Sequence, residues 1–157
     1  MHDLVLQGLP ACFVIDCTGL VGADGAELVH MVAMAAAYNA RPIALRYSQS
    51  EGEGANVPAT VQVLQIGKGR KIKSGMQAII LSFGIRLGEV LKVAETLRTK
   101  DITPTIADAQ FPKPLDHALI LQLAKTNEAI TAIKEDAVGG FGSHVAQLLS
   151  DQGRFDL

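Results

Sequence analysis

Arg46 ends a short apolar run, Ile43 to Tyr47. A guanidinium fixed at the end of a strand can grip a phosphate through two parallel N–H donors, and it can equally close a salt bridge. Gly139-Gly140-Phe141-Gly142-Ser143-His144 lies between an apolar run and a helical pattern. Backbone amides opening a helix there could hold an anion, although the spacing is not GxGxxG. The other reading is that the glycines permit a tight positive-φ turn where strand meets helix. Ser82, in Leu81-Ser82-Phe83-Gly84, lacks the glycine two residues earlier that a nucleophile elbow needs, and it reads as a strand end. His2, His30, His117 and His144 do not stand three or four residues from one another or from a cysteine, so no metal site is expected. Cys12 and Cys17 have neither redox CxxC nor zinc spacing. They read as reduced, buried thiols, and a reducing cytoplasm is the expected compartment. These residues offer two anion-site candidates and no catalytic group.

The elements that would carry them alternate in type. Leu9 to Asp16 is an apolar run bounded by Pro10 and Thr18-Gly19, the form of a buried parallel strand. Asp24-Gly25-Ala26-Glu27 reads as a capping box in which Asp24 accepts from the Glu27 amide. Leu28, Val29, Val32, Ala33 and Ala36 then fall on one helical face, with the helix stopping near Asn39. Ile43 to Tyr47 is the next strand. From Ser48 to Thr60 the composition shifts to Ser, Gln, Glu, Gly, Asn and Pro, which marks a linker. Beyond it the pattern predicts an edge strand over Val63 to Lys73, a buried strand over Ala78 to Gly84 and a helix over Leu87 to Leu97. A strand from Thr103 to Ala107 follows, then a helix capped by Asp116 and running through Leu123. A strand from Ala129 to Ile133 and a helix from Ser143 to Leu149 complete the series. The alternation predicts an α/β fold, a parallel sheet with helices on both faces.

At 157 residues, 48% of them hydrophobic, the chain can bury a core without disulfides or a structural metal. Its formal charge of −2 and its lack of any basic cluster longer than Lys68 to Lys73 argue against a nucleic-acid partner. That run reads as a solvated strand edge. No apolar stretch approaches the ~20 residues needed to cross a bilayer, and the N-terminus lacks a signal-peptide pattern, so neither membrane insertion nor secretion is expected.

Several strings are more specific. Leu6-Gln7-Gly8-Leu9-Pro10, Gly19-Leu20-Val21-Gly22-Ala23-Asp24-Gly25 and Ala26-Glu27-Leu28-Val29-His30-Met31-Val32 resemble the thiamine pyrimidine-binding domain of 1-deoxy-D-xylulose-5-phosphate synthase. Ile66-Gly67-Lys68-Gly69, Ala107-Asp108-Ala109, Phe111-Pro112-Lys113-Pro114-Leu115-Asp116 and Val138 to Val145 resemble the transketolase C-terminal-like domain of the same family. The resemblance implies a shortened pyrimidine-binding remnant with its linker over residues 1–60. It implies a transketolase C-terminal-like domain over 61–157 that stops before the family's last strand and helix, leaving a sheet edge unpaired. Family members join pyruvate to glyceraldehyde 3-phosphate with loss of carbon dioxide, using thiamine diphosphate and magnesium in a homodimer. By the same resemblance Arg46 matches a phosphate-gripping arginine and Asp24 an aspartate near the substrate hydroxyls.

The departures set the functional expectation. The family's diphosphate- and magnesium-holding domain and its cofactor-activating glutamate have no counterpart here. Cys17 stands after Phe13-Val14-Ile15-Asp16 where the family has a phosphate-binding arginine, and Ser48-Gln49-Ser50 replaces most of the motif around Arg46. An internal segment is missing after Gly25, which leaves Asp24 as a helix cap or as a residual substrate ligand. The chain is thus expected to be inactive alone, with no catalytic residue and no cofactor of its own. The alternatives are a non-catalytic module pairing with a full-length synthase or with itself, and a fragment similar to a 2-oxoacid dehydrogenase β-subunit.

Overall fold

The computed structural model describes residues 18–40, 42–46, 58–134 and 139–154. Strand β1 (Thr18–Val21), helix α1 (Gly25–Ala37) and strand β2 (Ile43–Arg46) form a first unit in which the two strands pair in parallel, Thr18 opposite Ile43 and Val21 opposite Arg46. The strand expected over Leu9 to Asp16 lies outside the described residues, as do Cys12, Cys17, His2 and Ser48 to Ser50. β1 occupies the Thr-Gly pair read as a strand boundary, because register with β2 supplies ladder partners that override local turn preference.

α1 corrects a second expectation. The helix buries Glu27, Met31 and Met34, while Val32 remains 51% exposed and Ala36 faces outward. From Leu28 to Ala37 the sequence contains no charged residue, so apolar spacing carries no information about which face turns inward. The choice is made by Phe111, fully buried against Met31 and Met34, and by polar partners for Glu27 described below. The helix ends at Ala37, two residues before the expected Asn39.

The second unit comprises β3 (Arg70–Lys73), β4 (Ala78–Ser82), α2 (Leu87–Arg98), β5 (Thr105–Asp108), α3 (His117–Thr126), β6 (Ala129–Ile133) and α4 (Phe141–Asp151). Its strand order is β3-β5-β4-β6. β4 pairs in parallel with β5 and β6, and β3 runs antiparallel along the edge of β5. Only Arg70 to Lys73 of the expected Val63–Lys73 strand joins the ladder. No helix among the described residues is long and apolar enough to cross a membrane.

Alternation along the strands builds two cores. Ile79, Leu81 and Ala107 face Ile120 and Leu123 of α3 and Val145, Leu148 and Leu149 of α4. Ile80 and Ile106 face Leu87, Val90 and Ala94 of α2 on the opposite side. Helices therefore cover both faces, which is why β4 reads as an unbroken apolar run rather than an alternating one. Each buried Leu, Ile or Val contributes roughly 1.5–3 kcal/mol relative to exposure. Asp116 caps α3 by accepting from the Leu119 amide at 3.1 Å. α4 begins at Phe141, earlier than the expected Ser143, because Phe141 is 2% exposed and stacks on Phe83 with ring centroids 4.6 Å apart. Phe141→Ala should lower unfolding stability by about 3–5 kcal/mol in chemical denaturation and Phe141→Leu by much less, since only the former leaves a cavity beside Phe83.

Candidate functional site

Parallel strands gather their loops, and usually their ligands, beyond their carboxyl ends. Register brings both sequence-predicted site residues to that edge of the first unit. Arg46 closes β2 opposite Val21, and its carbonyl accepts from the Gly22 amide at 3.3 Å. Asp24 follows three residues after Val21. Its carboxylate accepts from the Glu27 amide at 2.8 Å and its backbone at φ −153° is extended, the geometry of an N-cap. The side chain is exposed, but its hydrogen bond serves the helix. Arg46 is half-buried.

Glu27 is the residue whose role the sequence concealed. In a capping box it would turn back to the cap amide, yet its Oε2 accepts from the amide of Ala23 at 2.6 Å and the residue is only 4% exposed. Its Oε1 meets Arg70 Nη2 at 2.8 Å and also accepts from the Gln110 side-chain amide. The same Arg70 donates through Nη2 and Nε to Asp108 Oδ2 at 2.9 and 3.1 Å. Glu27 comes from α1, Arg70 from β3 and Asp108 from β5, so one guanidinium ties the first unit to the second. Backbone contacts run alongside, with the Val21 amide donating to the Gln110 carbonyl at 3.2 Å. Gly84 packs so close to Val21 that a Cβ would lie 2.7 Å from its Cγ1, and at φ +71° only glycine sits there without strain.

Two buried carboxylates around one half-exposed cation leave a net negative charge at the inner side of the cluster. Burial, followed by the neighbouring Glu27 charge, pushes the Asp108 carboxyl up to about 6, against the opposing pull of Arg70 and of the Gln110 amide. Ser82, the register neighbour of Asp108 on β4, is wholly buried and its hydroxyl lacks a hydrogen-bond partner. At the exposed rim of β3, by contrast, Lys73 pairs with Glu95 of α2, and that hydrogen bond holds the Glu95 carboxyl below the usual range. The basic run is thus a solvated edge, as its sequence predicts, and Arg70, itself 44% exposed, also reaches the two buried carboxylates.

The glycine string resolves toward its structural reading. Gly139 has φ +92° and Gly140 is the N-cap of α4, its carbonyl accepting from the Ser143 and His144 amides at 2.9 and 3.3 Å. Two other strings meet each other: the Gly69 amide donates to Asp116 Oδ2 at 3.1 Å. Among the described residues no three His, Cys, Asp or Glu gather as a metal-binding set.

Residues 67–157 match the family model for the transketolase C-terminal domain. The chain belongs to that family. It is also similar to a split-gene transketolase solved as an inactive β4 tetramer, at 27% identity and TM-score 0.76, covering 87% of this chain and 45% of the other. An arginine-to-leucine mutant transketolase from Pichia stipitis shares the fold, at 11% identity and TM-score 0.50 over 84% of this chain and 23% of its own. The chain therefore spans less than half the length of the solved transketolases it matches. In this transketolase C-terminal domain protein the strings around Asp108, Phe111 and Gly140 lie inside the matched region, as does Gly67-Lys68-Gly69.

Two substitutions separate the roles described above. Asp24→Ala should cost about 0.5–2 kcal/mol in thermal or chemical unfolding, and Asp24→Ser should restore most of it, because a serine hydroxyl also caps. Arg70→Met should cost about 3–5 kcal/mol, since it leaves Glu27 and Asp108 buried face to face without a cation.

Proposed function

We infer that the chain is a relative of 1-deoxy-D-xylulose-5-phosphate synthase whose residues 1–157 do not turn over substrate by themselves. It acts by assembling, with further copies or with a polypeptide that supplies the rest of a thiamine-diphosphate site. In this reading residues 1–60 are the pyrimidine-domain remnant and residues 61–157 the C-terminal domain. Asp24 and Arg46 are what remains of the end that receives a sugar phosphate. The strings Gly22-Ala23-Asp24-Gly25 and Gly139 to Val145 favour the synthase over a fragment similar to a 2-oxoacid dehydrogenase β-subunit.

The observation that carries the reading is the state of the carboxylates at the carboxyl edge. Thiamine chemistry needs a carboxylate poised on the cofactor's pyrimidine ring and a donor set for magnesium. The described residues do not fit that group: Asp24 caps α1, and Glu27 is engaged by the Ala23 amide, Arg70 and Gln110. Bound elsewhere in a completed assembly, the cofactor would supply the carbanion. This chain would supply a positive contact for phosphate at Arg46. Similarity to a split-gene transketolase found as a β4 tetramer supports self-association as the mode of assembly.

The purified chain, given pyruvate, glyceraldehyde 3-phosphate, thiamine diphosphate and magnesium, should form no deoxyxylulose phosphate. Light scattering coupled to size exclusion should return a mass of at least two chains. Turnover by the chain alone would overturn the inactive reading, and a monomer throughout the micromolar range would overturn self-association.

A further inference from the structure

The buried polar cluster holds the two units together and contains one more acid than base. Three residues of the cluster act on Asp108 directly. Arg70 comes from β3, Glu27 from α1, and the Gln110 amide from the segment after β5 at 3.3 Å. Ser82 of β4 stands beside it in register with its hydroxyl unpartnered. The α2 side chains packed on this face of the sheet, Leu87, Val90 and Ala94, are apolar. Glu27 and Asp108 are almost wholly buried, while the side chain of Arg70 between them is 44% exposed, so a single guanidinium at the boundary with solvent is shared by two acids.

We propose that Glu27, Arg70, Asp108 and Gln110 form a proton-operated clamp, drawn tight across the carboxyl edge of the two sheets in mild acid and slackened as the pH rises toward 8. With a proton on Asp108, Arg70 and Glu27 make a neutral pair and the carboxylic acid remains hydrogen-bonded to its neighbours. Without it, Glu27 and Asp108 repel across a shared guanidinium. The elements that feel the change are those Glu27 holds, namely the Ala23 amide, the start of α1 and through them the turn bearing Asp24.

The direction follows from linkage. The folded-state value of Asp108, about 6, lies above the ordinary carboxylate value of 3.8, so the folded chain binds the proton more tightly than the unfolded one. The stabilisation is fully present below 3.8 and is lost as pH rises through about 6. Between pH 5 and pH 8 this amounts to about a tenfold change in the opening equilibrium.

Amide exchange on the full chain, corrected for intrinsic rate, tests the clamp. The Val21 amide, which donates across the junction to Gln110, should lose about tenfold more protection from pH 5 to pH 8 in the wild type than in Asp108→Asn, which mimics the protonated acid. In a carboxyl-carbon NMR titration Asp108 should have its midpoint near 6, and Glu27→Gln should move it downward by removing the neighbouring charge. Equal pH dependence of exchange in wild type and Asp108→Asn would overturn the proposal, as would an Asp108 midpoint near 3.8. Should Asp108→Asn fail to fold, the midpoints in the wild type and Glu27→Gln decide alone.

Discussion

Arg70 stands between Glu27 and Asp108, and most of what joins the first strand–helix–strand unit to the four-stranded sheet depends on that placement. A buried carboxylate is costly unless paired, and here two are paired to one cation. Glu27 could not sit on the inner face of α1 without Arg70 and Gln110. With them it fixes the rotation of the helix, and that rotation carries Met31 and Met34 onto Phe111. The apolar contact supplies the larger free energy, since burying three such side chains is worth several kcal/mol. The polar cluster supplies direction, because charges tolerate far less displacement than methyl groups.

The same arrangement explains why the chemistry of this edge is muted. Each carboxylate described at the edge has a structural partner: Asp24 the Glu27 amide, Glu27 the Ala23 amide and Arg70, Asp108 the same arginine and the Gln110 amide. A group already engaged in this way must break a hydrogen bond before it can serve a substrate, which raises the barrier to any such role. Family membership and fold are consistent with this restraint, for a fold is compatible with many activities and the site decides among them.

Much of the second unit was legible in the sequence. β4, β6, α2 and the Asp116 cap appear within a few residues of where apolar runs and capping chemistry put them, because each is a local signal. The errors share a cause in distant contacts. β1 exists through its register with β2, and the inner face of α1 was hidden in an uncharged stretch where every rotation looks equally apolar. Glu27 looked like a cap partner and Arg70 like one more basic residue on a solvated edge. What gives them their roles is proximity across 43 and 38 positions of sequence, to one another and to Asp108, which spacing within a helix or a strand does not encode. Arg46, read as an anion-site candidate from its place at a strand end, and Asp24 both lie at the carboxyl edge of the first unit, and the Asp24 cap was legible from its own segment.

Phe111 gives this junction an implication for recombination between related genes. Its ring belongs to the second unit but is wholly enclosed by methionines and aliphatic residues of the first and of the segment that connects them. A crossover that exchanged residues 18–46 for those of a cousin would have to bring an α1 whose inner stripe accepts that ring and whose acid meets a guanidinium on β3. The two units have separate strand ladders and are joined by a connecting segment, yet a hybrid would have to keep their complementary surfaces matched for this junction to close.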